Sequence, residues 1–108
     1  MRRSYIGEFE ELVLLTVAIF QDKAYGVIVK EEIFNQTGRS VNISAVHAAL
    51  VRLEDKGYVK SEFGGAEAKR GGRRKRIYTI TVKGRTELAE IRATREKLWA
   101  KIPNLSLS

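Results

Sequence analysis

Two short runs with strand character, Tyr58 to Phe63 and Arg76 to Val82, enclose a twelve-residue stretch carrying four glycines and a dense set of cations. The first run sets Val59 and Phe63 on one side. The second sets Tyr78, Ile80 and Val82 on one side, which places Tyr78 in the core rather than on a binding face. The stretch between them, Gly64 to Lys75, is too long for a tight turn and reads as an extended hairpin loop. Residues 69–85 hold eight basic side chains and no acidic one, against twelve basic and thirteen acidic residues in the rest of the chain. The net charge of +7 therefore resides in this one stretch. Charge focused in this way is an electrostatic footprint for a polyanion, whereas diffuse charge only aids solubility.

Around the hairpin the periodicity is helical. Glu8 to Phe20 repeats apolar residues at spacings of three and four (Phe9, Leu12, Val13, Leu15, Thr16, Ile19), with Glu8, Glu10 and Glu11 where the helix dipole favours anions. Leu12 to Leu15 is continuously apolar, so this helix is expected to be covered on more than one side. Tyr25 to about Gln36 forms a second helix, with Gly38 as its C-cap. Val41-Asn42-Ile43 alternates like a strand stub. Ser44 then stands as an N-cap, and Ala45 to Lys56 forms a third helix stopped by Gly57. At 100° per residue, Val46, Ala49, Leu50 and Leu53 share one face, and Ser44, Ala48, Val51 and Asp55 the opposite one, flanked by His47 and Arg52. Gly84 marks entry into a last helix, from about Arg85 to Lys101, stopped near Pro103. Its Leu88, Ile91, Leu98 and Ile102 fall at heptad-like spacings, with Arg95 interrupting the seam and Trp99 beside it.

At 108 residues the chain has the length of one domain. Its 44% hydrophobic and 31% charged residues exclude a disordered tail. No apolar run approaches the ~20 residues of a membrane span, and acidic residues stand where a signal peptide needs an apolar stretch. With no cysteine there is neither a disulfide framework nor a thiolate metal site, and the cytoplasm is the expected location. Catalysis has no support. The chain has one histidine, no phosphate-binding Gly-Lys-Ser/Thr loop, and only adjacent carboxylates (Glu31-Glu32, Glu54-Asp55) that diverge on a helix. No metal site, catalytic residue or cofactor is expected.

The order helix, helix, strand stub, helix, strand, basic loop, strand, helix is that of a winged helix-turn-helix, a mainly α (α+β) fold. Residues 1–84 are expected to form the DNA-binding part, and residues 85–108 a dimerisation helix and tail within the same unit. A major groove about 12 Å wide admits one helix, and the outward face of the third helix is small enough for close approach. The expected recognition residues are Asn42, Ser44, Ala45, His47, Ala48 and Arg52. The expected wing residues are Lys69, Arg70, Arg73, Arg74 and Lys75; the arginine guanidinium groups suit bidentate phosphate contacts. Arg52 can pair instead with a carboxylate, since Glu54 and Asp55 stand beside it.

These segments resemble the PadR-type transcriptional regulators. The resemblance rests on Gly7-Glu8-Phe9-Glu10-Glu11-Leu12-Val13-Leu14, on Tyr25-Gly26, on Ser44 through Gly57, and on Arg74-Lys75-Arg76-Ile77-Tyr78-Thr79-Ile80-Thr81-Val82-Lys83-Gly84. It covers residues 6 to about 100. It implies a homodimer on a roughly palindromic operator, with the C-terminal helix pairing across subunits and against the first helix. The implied interface is Phe9, Leu12, Leu88, Ile91, Leu98, Trp99 and Ile102. The family commonly has tyrosine where this chain has His47, and the single C-terminal helix resembles the short subfamily.

Trp99 has two readings. It is a dimer-interface anchor, or it faces a cavity between subunits and stacks on a small planar aromatic or apolar effector, as in multidrug-binding PadR-like regulators. Double-stranded DNA is the expected partner and repression the expected outcome. The alternatives are an RNA-binding winged helix, which would favour exposed aromatics for stacking, and a protein-interaction winged helix, which leaves the cationic wing unexplained.

Overall fold

The computed structural model describes residues 6–64 and 75–103. In chain order it contains α1 (Glu8–Phe20), α2 (Gly26–Thr37), α3 (Ile43–Asp55), β1 (Val59–Phe63), β2 (Arg76–Ile80) and α4 (Val82–Ala100). The two strands pair antiparallel, from Val59 opposite Ile80 to Phe63 opposite Arg76. Beyond them the Gly64 amide donates to the Lys75 carbonyl at 2.6 Å, which closes the base of the wing.

The core takes Val13, Leu14 and Val17 from α1, Val29 and Ile33 from α2, and Val46, Ala49, Leu50 and Leu53 from α3. Tyr58, Val59, Tyr78 and Ile80 complete it from the hairpin. The inward face of α3 is the one its periodicity predicts, and Ser44, Ala48, Val51 and Asp55 are all exposed. Each fully buried Val, Leu or Ile contributes roughly 1.5–3 kcal/mol of transfer free energy, so this face alone holds α3 in its rotation.

Four local expectations change. The extended segment that joins the hairpin is not Val41–Ile43 but Ala24, whose carbonyl accepts the Tyr78 amide at 2.8 Å. Asn42, rather than Ser44, caps α3: its Oδ1 accepts the Ser44 amide at 2.7 Å, and Ile43 is already helical. Phe63 lies on the face of Val59 but sits past the end of the core, exposed and under the Arg76 guanidinium at 4.7 Å. Val82 does not continue the apolar face of β2, because the strand ends at Ile80 and Val82 is the exposed first residue of α4.

Thr81 makes that switch possible. Its hydroxyl accepts the Gly84 amide at 3.0 Å as an N-cap and donates to the Gly57 carbonyl at 2.7 Å. Gly84 is required by close approach. A Cβ there would overlap the Tyr58 carbonyl oxygen and come within 2.7 Å of Ile80 Cγ1. From this joint α4 runs out past the core, and the molecule measures 59 × 32 × 20 Å.

Candidate nucleic-acid interface

The recognition residues expected from the sequence lie on one exposed side of the α3 end of the molecule. Asn42, Ser44, Ala45, His47, Ala48 and Arg52 are all exposed. The Ser44 hydroxyl and the Asn42 side-chain amide have no partner among the described residues, beyond the cap that Asn42 Oδ1 makes. Small side chains at 44, 45 and 48 let the helix backbone approach a groove floor, and open hydroxyl and amide groups are what base edges read.

His47 projects sideways onto the start of α2. Its imidazole packs against Gly26, where any larger residue would collide with Nε2 and with Cδ2. Tyr25, the residue before Gly26, caps α2 without a side-chain bond, so the first amides of that helix are open among the described residues. Lys75 Nζ stands 4.7 Å from the centre of the Tyr25 ring. The exposed side of α3, the N-terminus of α2 and the foot of the wing are thus contiguous through His47, Gly26, Tyr25 and Lys75. A helix N-terminus with open amides favours phosphate, and Lys75 adds a full charge beside it. Lys69, Arg70, Arg73 and Arg74 lie outside the described residues. Tyr78 is buried, as expected, and burial pushes its phenol above the ordinary tyrosine range.

Arg52 pairs with neither Glu54 nor Asp55. Its Nε donates to Glu10 Oε2 of α1 at 2.6 Å, and Lys56 Nζ donates to Oε1 of the same carboxylate at 2.8 Å. Glu10 is 8% exposed. Burial pushes its pKa up, but the hydrogen bonds from Lys56 and Arg52, with their charges, outweigh this and hold it below the ordinary carboxylate value. No local pattern points to this partner, because it is 42 positions from Arg52.

A family model, the transcriptional regulator PadR-like family, matches residues 14–90. The chain belongs to the PadR-like family. Solved structures agree in fold. A PadR-like transcription factor from Bacteroides fragilis superposes with a TM-score of 0.74 at 18% identity, covering 91% of this chain and 89% of that one. A PadR-like regulator from Bacillus cereus gives 0.70 at 17% identity, covering 89% and 88%. A transcriptional regulator from Thermoplasma acidophilum gives 0.65 at 19% identity, covering 91% and 94%. No curated protein matches at a significant level. The PadR-like family is one of DNA-binding transcriptional regulators, not of enzymes. Among the described residues no helix is long and apolar enough to cross a membrane.

In this PadR-like chain the residues expected at a dimer interface divide into two sets. Phe9, Leu12 and Leu88 are half-buried and pack against the chain's own core. Leu98, Trp99 and Ile102, at 64%, 53% and 44% exposure, carry the apolar surface of the outer end of α4 and the turn after it, and Ile91 is half-buried between the sets. Leu15 and Ile19 of α1 are also exposed, although the interface expected from the sequence does not include them. Between α1 and α4 lies an open groove of about 570 Å³, lined by Leu15, Leu88, Ala89, Ala93 and Trp99 with Glu11, Arg92, Arg95 and Glu96. Arg95, which interrupts the apolar seam, donates to Glu11 of α1 at 3.1 Å.

Proposed function

We propose that the protein is a sequence-specific regulator that acts as a homodimer on duplex DNA carrying a roughly palindromic operator, and that it represses. One observation carries this reading: the small exposed side of α3 is continuous, through His47, Gly26, Tyr25 and Lys75, with the foot of the cationic wing. A helix entering the major groove would carry the open amides of α2 and the wing onto the flanking phosphates. The protein would then work in the cytoplasm, with α4 as its dimerisation element.

Dimerisation is favoured by Leu98, Trp99, Ile102, Leu15 and Ile19, an apolar surface on neighbouring helices that water solvates poorly. A planar apolar or aromatic effector fits the groove beside Trp99. Such a ligand shifts operator binding only if it prefers one subunit arrangement, with coupling of about 1–3 kcal/mol.

The test compares random duplex DNA, single strands and RNA at two salt concentrations, for the parent and for a variant with Arg73, Arg74 and Lys75 changed to alanine. The expected result is duplex preference, with the salt slope of the variant reduced by about 0.9 log units for each phosphate it no longer neutralises. Preference for RNA, or an unchanged slope in the variant, overturns the reading.

A further inference from the structure

In the ion-paired cluster between α1 and α3, Glu10 has no part in the DNA-binding reading, although it holds Arg52, which does. Arg52 is one helical turn beyond Ala48, which places it at the edge of the recognition side. Its side chain is 51% exposed, yet it does not float free: Nε is fixed to Glu10 Oε2 at 2.6 Å. Neither Nη group has a partner among the described residues. The carboxylate therefore holds the inner edge of the guanidinium and leaves the outer fork of N–H groups open. Lys56, on the next turn, takes the other oxygen of Glu10 and stops the carboxylate from rotating away.

We propose that Glu10 is a positioning residue for DNA binding: it presents the Nη fork of Arg52 to a backbone phosphate at the flank of the recognition helix. This rests on the reading of α3 as a DNA-facing helix. An arginine held at Nε loses little further rotamer freedom when its outer edge binds a phosphate, and the planar fork accepts two phosphate oxygens at once. The arrangement also tells the residue types apart. A lysine at position 52 keeps the charge but gathers its donors on one compact ammonium, without the planar fork that takes two phosphate oxygens while Nε stays on Glu10. Arg52 is anchored to α1 by a long-range bond, so the phosphate it meets is fixed relative to the bases under α3. Glu10 thereby sets register as well as affinity.

The experiment measures binding of the intact protein to a duplex selected by that protein from a random library, and to a random-sequence duplex of equal length. The variants are Arg52→Gln, Arg52→Lys, Glu10→Gln and the double Glu10→Gln/Arg52→Gln, with melting curves recorded for each. Arg52→Gln is expected to weaken binding about tenfold and to lower the salt slope by about 0.9 log units, one phosphate contact. Glu10→Gln is expected to lose about three- to tenfold in the Arg52 background and to change binding little once Arg52 is gone. Arg52→Lys keeps the charge and leaves folding intact, so it reports even if Glu10→Gln melts too low to assay; it is expected to lose nearly as much as Arg52→Gln. Additive losses in the double variant, tighter binding by Glu10→Gln, or parental binding by Arg52→Lys overturn the proposal while leaving the DNA-facing reading of α3 in place. The parent protein separates the two failures. If it binds neither duplex, the DNA-facing reading is overturned, and the role of Glu10 falls with it.

Discussion

Replacing Gly84 with alanine separates a glycine kept for space from one kept for flexibility. The added Cβ would overlap the Tyr58 carbonyl oxygen, come within 2.7 Å of Ile80 Cγ1 and lie 3.1 Å from the Tyr58 carbonyl carbon. Ile80 is a core side chain and Tyr58 contributes backbone, so neither gives way cheaply. The Tyr58 oxygen also accepts the Thr81 amide at 3.0 Å, the bond that seats the cap of α4. Overpacking of this kind costs about 1–3 kcal/mol, and a weakened hydrogen bond about 1 more. Alanine returns about 0.5–1 kcal/mol of helix propensity. The net expectation is a loss of about 2 kcal/mol, which in a domain of this size lowers Tm by roughly 8–16 °C. Thermal melts should be followed by circular dichroism at one fixed protein concentration, because association makes Tm concentration-dependent. A Gly84→Ala protein that melts with the parent, or above it, refutes the steric argument.

Gly26→Ala meets a different obstacle, the imidazole of exposed His47, which can swing aside. It should leave stability within about 0.5 kcal/mol of the parent but change the ratio of affinities for two selected duplexes, read by fluorescence anisotropy. The depressed pKa of Glu10 makes its ionised form a stabilising group. That stability is complete above its unfolded value near 4.5 and is lost as acid titrates the folded carboxyl below it. Denaturant melts of Glu10→Gln should therefore lose less stability between about pH 5 and pH 3 than those of the parent. Leu98→Ala with Trp99→Ala should shift the sedimentation mass from two chains towards one. A parental mass for that variant would move the interface elsewhere.

How much of the molecule is legible in the sequence follows from the range of its interactions. The bounds of α1 and the buried face of α3 come from spacings of three and four, which a window of a dozen residues contains. The left-handed C-cap of α2 at Gly38, φ 73°, is equally local. The start of α3 differs from the expected one by two residues because Asn42 and Ser44 are both good caps, and only the bond between them decides which one serves. Ala24 as the third partner of the hairpin leaves no pattern, since a single bridge has no period. On the proposed binding side, the exposure of Ser44, His47 and Ala48 is legible as a helix face. The contact of His47 with Gly26 and the capture of Arg52 by Glu10 are not, because each joins two helices whose mutual angle no local pattern encodes.

A single residue, Thr81, separates the last pair of the hairpin from the first turn of α4. With its hydroxyl on Gly57 and Gly84, and Gly84 wedged on Tyr58, this joint has no slack. A 19-residue helix is about 28 Å long, and it leaves the body of the protein as a welded beam rather than a tethered arm. In a dimer built on that beam, a tilt of about 5° at the subunit contact displaces its far end by roughly 2.5 Å and carries the wing and α3 with it. The distance between two recognition helices is then a property of how the beams cross. If the proposed dimer forms in this way, a change in operator spacing is met most directly by residues of the crossing, since the joint between the beam and the head is held by the bonds of Thr81 and the close packing of Gly84.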